Sequence, residues 1–310
     1  MDELAIIERL KEIFARAGRD SDSHLKVGIG DDAAFFTPRA TGVAVATDLL
    51  TEGVHFNRQW SDLYAIGRKA TAANLADIFA MGVPPGYLLV AVAFDPADRE
   101  SIFELAQGIA DECALIGARV IGGDLSRAES LTVSMTAIGE GDAVVTRSGA
   151  QVGDSLYLAA LPGRSLLGLE QLRRDLVLDS ESIAFHRSPK VEYRSFLDAA
   201  ESATSLCDIS DGILIDAASL ARSSSLSIDL ESEALRAHPA FAAIADVALA
   251  LEMDPLQTVL TSGEEHGPLF TAPASWKGSK AWRIGTVKAR AGSLLTLDGV
   301  AIEERGFSHF

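Results

Sequence analysis

Between residues 61 and 118 the chain sets two long amphipathic segments on either side of a short, unbroken apolar run. "SDLYAIGRKATAANLADIFAMG" and "ADRESIFELAQGIADECALIGA" repeat their apolar residues at helical spacing, whereas "YLLVAVAF" (Tyr87 to Phe94) is apolar throughout. A run of that length between helices reads as a buried strand covered by them, and it is too short to cross a bilayer. The order helix–strand–helix restricts the chain to α/β or α+β layer architectures. Ser61 is placed to cap the first helix, with Gly82 and the prolines at 84 and 85 ending it. Upstream, "VAVATD" reads as a strand ending in an acid. Downstream, "ARVIGGD" reads as a short strand into a glycine turn and "SLTVSMTAIGE" as a longer alternating strand.

Around "TRSGAQVGDSLYLAA" the pattern restarts with a turn and a fresh strand, which places a domain boundary near Gly149 and divides the chain into residues 1–148 and 149–310. The second half is expected to hold a helix near Ser165 to Arg173, a strand into "CDISDG", a helix from Gly212, and strands near 257–270 and 282–287. The opening "MDELAIIERLKEIFARAG" is acidic at its start and amphipathic, unlike the basic start and apolar block of a signal peptide, so a cytoplasmic protein is expected. The two cysteines, Cys113 and Cys207, lie far apart without a CxxC, as free buried thiols do.

Acidic residues number 44 against 27 basic ones, a formal charge of −17, in a chain that is 48% hydrophobic. Such a surface makes nucleic acid and anionic membrane poor partners. It would also repel a phosphorylated small molecule unless metal ions screen it. The placement of the aspartates answers to that need. Asp32 follows the glycine loop of "GIGDDAAFF", Asp48 ends a strand, and Asp77 lies one helical turn after Asn74. Asp124 follows "IGG", and Asp208 and Asp211 bracket Ser210 in "DISDG". Strand ends and glycine turns are where open α/β sheets place ligands, and converging carboxylates suit Mg²⁺, a hard cation. Each residue also has an ordinary structural reading: an Asp beside Gly forms turns or caps, His55 suits an interior position, and Arg147 in "TRSG" suits a loop. "GIGDD" matches neither the Walker loop nor the dinucleotide fingerprint. The residues by themselves point to a Mg²⁺-dependent site for a phosphorylated ligand.

Taken in order, "GIGDDAAFF", "VATDLLTEGVHF", "GRKATAANLADIFAMGVPP", "VIGGDLSRAESLTVSMTAIG", "TRSGAQVGDSLYL", "DISDGILID" and "GFSHF" resemble thiamine-monophosphate kinase, of the aminoimidazole ribonucleotide synthetase-like superfamily. The resemblance implies an α/β (α+β), two-domain fold. An N-terminal α/β domain would form a barrel across a homodimer, a C-terminal α/β domain would follow, and ATP and several Mg²⁺ would lie in the cleft between them. It implies ATP-dependent phosphorylation of thiamine monophosphate to thiamine diphosphate; because such an acceptor phosphate is already ionised at neutral pH, direct in-line transfer without a general base is expected. Carried over, Asp32, Asp48, Asp77, Asp124, Asp208 and Asp211 match metal-binding aspartates, with Thr47 beside Asp48. Gly123, Asp124, Arg147 and Ser210 match ATP contacts; His55, Glu264 and Phe307 match the thiamine phosphate side. One segment departs from the pattern: "SGEEHGPLF" (Ser262 to Phe270) stands where a "GGEDYEL"-like sequence is usual, keeping Glu264 but placing Glu265, His266, Gly267 and Pro268 after it. Two other readings stand beside this one: another ATP-dependent enzyme of the superfamily, or a non-catalytic nucleotide- or thiamine-phosphate-binding protein. Selenophosphate synthetase usually carries a reactive Cys or selenocysteine near its start, and no Cys precedes Cys113.

Overall fold

The apolar run at the centre of the first half is the strand β4 of the computed structural model, which describes residues 3–17, 22–31, 33–278, 280–290 and 292–307. The chain divides into two compact units, Met1–Phe79 with Val83–Ala143, and Ala80–Gly82 with Val144–Phe310. The first unit contains α1 (Glu3–Ala17), β1 (Leu25–Val27), β2 (Phe35–Phe36), β3 (Gly42–Thr51), α2 (Leu63–Ala80), β4 (Pro85–Phe94), α3 (Ile102–Ile116), β5 (Arg119–Arg127) and β6 (Thr132–Gly141). Four of its strands form one sheet in the order β3-β6-β4-β5, with β4 and β5 parallel and the other pairs antiparallel; β1 and β2 pair separately.

Alternation along β6 sorts the two faces of that sheet. Val133, Met135 and Ala137 are buried, and Thr71 of α2 reaches Met135 Sδ at 3.8 Å. The opposite face leaves Val43, Val45 and Leu49 of β3 and Leu89 of β4 exposed, although all are apolar. α2 and α3 are tied at their polar edges, by Tyr64 Oη donating to Asp111 (2.7 Å) and by the Arg68–Glu112 ion pair.

Three sequence expectations need correction in this unit, the first being that β3 does not end at Asp48 but runs on to Thr51. Ser61 is not the cap of α2: Asp62 accepts the Ala65 N–H at 2.7 Å, so the cap falls one residue later. "ARVIGGD" is not a strand running into a turn, because β5 continues through both glycines to Arg127. The glycines are there for closeness, since a Cβ on Gly123 would lie 1.9 Å from the Val90 carbonyl oxygen of β4.

The second unit contains β7 (Ser155–Leu158), α4 (Arg164–Arg173), α5 (Ser180–Arg187), α6 (Tyr193–Ala200), β8 (Ser205–Asp208), α7 (Ile213–Ser223), β9 (Ser227–Leu230), α8 (Ser232–Arg236), α9 (Phe241–Ala250), α10 (Pro255–Thr261), β10 (Pro268–Ala272), β11 (Trp282–Lys288), β12 (Leu295–Leu297) and β13 (Val300–Ala301). Its sheet runs β13-β12-β9-β11-β7-β10-β8, and only the β12–β9 pair is parallel. Leu156, Leu158, Leu214, Leu220, Val259 and Leu269 belong to the buried core between sheet and helices. The expected strand near 257–270 is instead helix α10 followed by β10. Asp254 accepts the Gln257 N–H at 2.8 Å and Pro255 fills the first helical turn, which starts a helix despite the β-branched residues after it. Both cysteines are buried and unpaired with each other. Among the described residues no helix is long and apolar enough to cross a membrane.

Candidate functional site

β8 ends at Asp208, where the chain turns through Ile209, Ser210 and Asp211 into Gly212 and α7. Gly212 sits at φ 109°, a conformation that glycine adopts without strain. The departing segment wraps this turn. Glu264 N–H donates to the Ser210 carbonyl (2.7 Å), Glu265 and His266 N–H to the Ile209 carbonyl (3.2 and 2.9 Å), and Ile209 N–H to the Gly267 carbonyl (2.9 Å). From the C-terminal side Phe307 N–H donates to the Asp211 carbonyl at 3.2 Å. Five of the expected residues, Asp208, Ser210, Asp211, Glu264 and Phe307, are thereby brought to one turn from three distant stretches of sequence. Arg147 lies in the segment alongside β8: the Thr146 carbonyl accepts the Leu206 N–H at 3.1 Å.

Buried polar groups support the turn. Asp216, one turn into α7, accepts the N–H groups of Asp211 (3.2 Å) and Gly212 (3.0 Å) through Oδ2. Burial, then the charges of Asp208 and Asp211, push its carboxyl up to about 8 against those bonds. Burial also raises Cys207 well above an ordinary thiol, with Asp216 and Asp208 adding to it and Arg147 opposing. Glu265 Oε1 accepts from Gly163 N–H (2.7 Å), Ser165 N–H (3.0 Å) and Ser262 Oγ (2.7 Å), so it closes the open N-terminal end of α4. Burial raises Glu265, and these three donors oppose the rise. His186 of α5 is buried with Nδ1 3.2 Å from Ser165 Oγ and 3.6 Å from Glu264 Oε2; His266 Nδ1 lies 3.1 Å from Asp208 Oδ2. Sequence reasoning missed Asp216, Glu265, His186 and His266 as parts of this arrangement. Asp216 closes the quoted "DISDGILID", but the other three partner residues far along the chain and leave no spacing to read.

In the first unit, Asp48 lies inside β3 rather than at its end, opposite Met135 and so on the helix-facing side of the sheet. Thr47 faces the other way, donating to the Met135 carbonyl at 2.8 Å and accepting from Thr136 at 3.1 Å. Asp124 stands within β5 beside Ala91, on the open face and exposed. Asp77 is half-buried on α2, and Asn74 one turn before it is fully buried, its amide donating to Ala70 at 3.1 Å. His55 accepts the Thr51 N–H through Nδ1 at 3.1 Å, which holds the turn after β3. Asp32 lies outside the described residues.

Among the described residues no three His, Cys, Asp or Glu side chains form a ready-made metal cage. That does not conflict with Mg²⁺, which is usually held by one or two carboxylates together with substrate phosphates and water. The donor set fits it: all the candidate side chains offer hard oxygen. Burial lifts Asp216 most and the charges of Asp208 and Asp211 add to it; a divalent cation held by those two carboxylates would offset their part.

Residues 30–140 match the family described as AIR synthase related protein, N-terminal domain. The chain is 36% identical over 290 residues to thiamine-monophosphate kinase of Mycobacterium tuberculosis, with 89% of this chain and 84% of the relative covered. The chain belongs to the thiamine-monophosphate kinase family. It is 30% identical to the Aquifex aeolicus thiamine-monophosphate kinase, with 91% and 92% covered. A solved structure of AaThiL complexed with AMPPCP and TMP superposes with a TM-score of 0.81 at 28% identity, over 99% of this chain and 97% of that one. The expected mixed α/β, aminoimidazole ribonucleotide synthetase-like fold is the fold observed, and membership of the family makes the chain an enzyme of the kinase class.

Proposed function

We propose that this protein transfers the γ-phosphoryl group of ATP to thiamine monophosphate, forming thiamine diphosphate. The observation that carries the reading is the turn after β8, where Asp208, Ser210, Asp211, Glu264 and Phe307 meet although they come from three stretches of the chain. They are the residues the family pattern assigns to metal, nucleotide and thiamine phosphate. The complex of a relative with AMPPCP and TMP supports the choice of both substrates.

The acceptor is a phosphate, already ionised at neutral pH, so no general base is needed. The difficulty is bringing one anion against another on a chain of charge −17. Asp48, Asp77, Asp124, Asp208 and Asp211, with Asp32 and Thr47, would hold several Mg²⁺. When bound, these ions neutralise both phosphates and the loose transition state of an in-line transfer. Gly123, Arg147 and Ser210 are assigned to ATP; Arg suits phosphate because its planar fork pairs two oxygens at once. His55, Glu264 and Phe307 are assigned to thiamine monophosphate, with Phe307 offering a ring to the heterocycles.

The residues 1–148 are proposed to carry dimerisation as well as nucleotide and metal residues, with 149–310 as the second domain. Support for a homodimer comes from the open sheet face, where Val43, Val45, Leu49 and Leu89 are exposed together. A cytoplasmic location accords with two buried, unbridged thiols.

The test is ATP consumption by the purified protein with Mg²⁺, offered thiamine monophosphate or unphosphorylated thiamine. Thiamine diphosphate formed only from the monophosphate, and only with metal, is the expected result. Saturable binding of both ligands without product would make it a binding protein instead. As a second check, Asp77→Asn should lower turnover at saturating ATP far more than it lowers stability; unchanged turnover would remove Asp77 from the metal set.

A further inference from the structure

The family segment that this chain rewrites is the one that grips the turn after β8, and His266 is the residue in it that reaches a site side chain. Its imidazole Nδ1 lies 3.1 Å from Asp208 Oδ2, and both side chains are buried, with 8% and 2% of their surface exposed. The two residues are 58 positions apart, so the fold builds this pair rather than local sequence.

His266 has little freedom to leave. Its N–H is bonded to Ile209, Gly267 accepts from Ile209, and Pro268 pairs with Asp208 in the β10–β8 ladder. On the other side Glu265 is anchored by two hydrogen bonds from the start of α4 and one from Ser262. His266 and Glu264 both sit at positive φ, 47° and 57°, a conformation that non-glycine residues keep only where the surroundings hold them. Against a carboxylate, which only accepts, Nδ1 is the nitrogen that carries the proton. With Oδ2 held by that donor, rotation of the Asp208 carboxylate is fixed, and with it the direction of Oδ1.

We propose that His266 is a positioning residue for Asp208, fixing that carboxylate in the orientation in which it meets metal and nucleotide. The proposal rests on the reading of Asp208 as a metal-binding residue. It makes the departure from the "GGEDYEL" pattern a change in how the metal carboxylate is held. Partners of this outer kind matter for affinity because they orient the groups that touch the ion.

The experiment compares the full-length protein with His266→Asn, His266→Gln and His266→Phe. Asparagine places its amide where Nδ1 lies and accepts positive φ readily; glutamine carries the same amide one carbon further, out of line with Oδ2. Mn²⁺ is titrated in the presence of a non-hydrolysable ATP analogue and followed by electron paramagnetic resonance, with a urea unfolding curve for each variant. His266→Gln and His266→Phe should bind Mn²⁺ about 10–100-fold more weakly, His266→Asn within about threefold of the parent. kcat should follow Mn²⁺ affinity while KM for thiamine monophosphate stays within about threefold.

Unchanged Mn²⁺ affinity in His266→Gln overturns the proposal. So does an equal loss in His266→Asn and His266→Gln, which would mean only that the fold suffers. If His266→Phe fails to fold, the Asn–Gln contrast still decides, because both are small polar amides. A parent protein that binds no Mn²⁺ beside the nucleotide overturns the metal reading of Asp208 itself, and the proposal with it.

Discussion

Glu265 shows what one buried oxygen can hold together. Its Oε1 satisfies two backbone N–H groups at the start of α4 and the Ser262 hydroxyl, all from residues that water cannot easily reach. Glu265→Ala should therefore cost about 2–4 kcal/mol, the penalty of leaving buried donors unpaired, while Glu265→Gln, which keeps an acceptor oxygen, should cost roughly half as much. Urea midpoints at neutral pH measure both. Asp22 is the acid-sensitive counterpart in the first unit. Desolvation alone would raise its carboxyl, but hydrogen bonds from Tyr87 (2.7 Å) and Arg39 (2.6 Å) outweigh that and hold it well below the ordinary value of 3.8. A folded carboxyl titrating below the unfolded one contributes stability above about pH 4, lost as pH falls through the folded value. With Arg39 half-exposed the contribution is about 1–2 kcal/mol at neutral pH, and Asp22→Asn should make the melting temperature fall less steeply than the parent's as pH drops from about 5 towards about 2.

Elements that announce themselves by period were legible in the sequence; those fixed by a cap or a long-range partner were not. α2, β4 and α3 follow directly from apolar spacing, and α7 from the glycine before it. α10 was hidden because "PLQTVLT" looks strand-like, and what decides it is Asp254 closing the first turn. A charge that interrupts an apolar run reads as a strand end at Asp48, yet β3 passes through it to Thr51, and the residue is only half-buried. Of the candidate site, the aspartates were legible as residue types in glycine turns, but the imidazoles that hold Asp208 and approach Glu264 were not, being contacts across the fold. The stretch Gly306–Phe307 gives a test at this scale. A Cβ on Gly306 would lie 2.1 Å from the Asp211 carbonyl oxygen, so Gly306→Ala must lift that stretch and Phe307 away from the turn. KM for thiamine monophosphate should rise about tenfold, with a melting temperature within about 2 °C of the parent, since the stretch is exposed and buries little apolar surface. Steady-state kinetics at saturating ATP measures the first and a thermal melt the second.

For the whole molecule, two opposing terms meet on association. A charge of −17 resists bringing copies together, while the open face of the four-stranded sheet offers apolar area to a partner. Val45, 62% exposed in the middle of β3, is the position at which to separate them. Val45→Glu should shift the protein from dimer to monomer in sedimentation experiments at micromolar concentration, and added salt should favour the dimer of the parent by screening the like charge. A parent that sediments as a monomer at every concentration would remove the homodimer from the proposal.

That bare sheet face also bears on how any melting curve of this protein is to be compared with another. If the face is covered only by a second copy, unfolding and dissociation become one process, and the midpoint moves with dilution. Each tenfold dilution then takes about 1.4 kcal/mol per mole of dimer from the assembled state. A fluorescence melt at nanomolar concentration and a calorimetric one at a thousandfold more would report different temperatures for the same molecule, and a variant ranked on one instrument would need its parent measured at equal concentration on the same one.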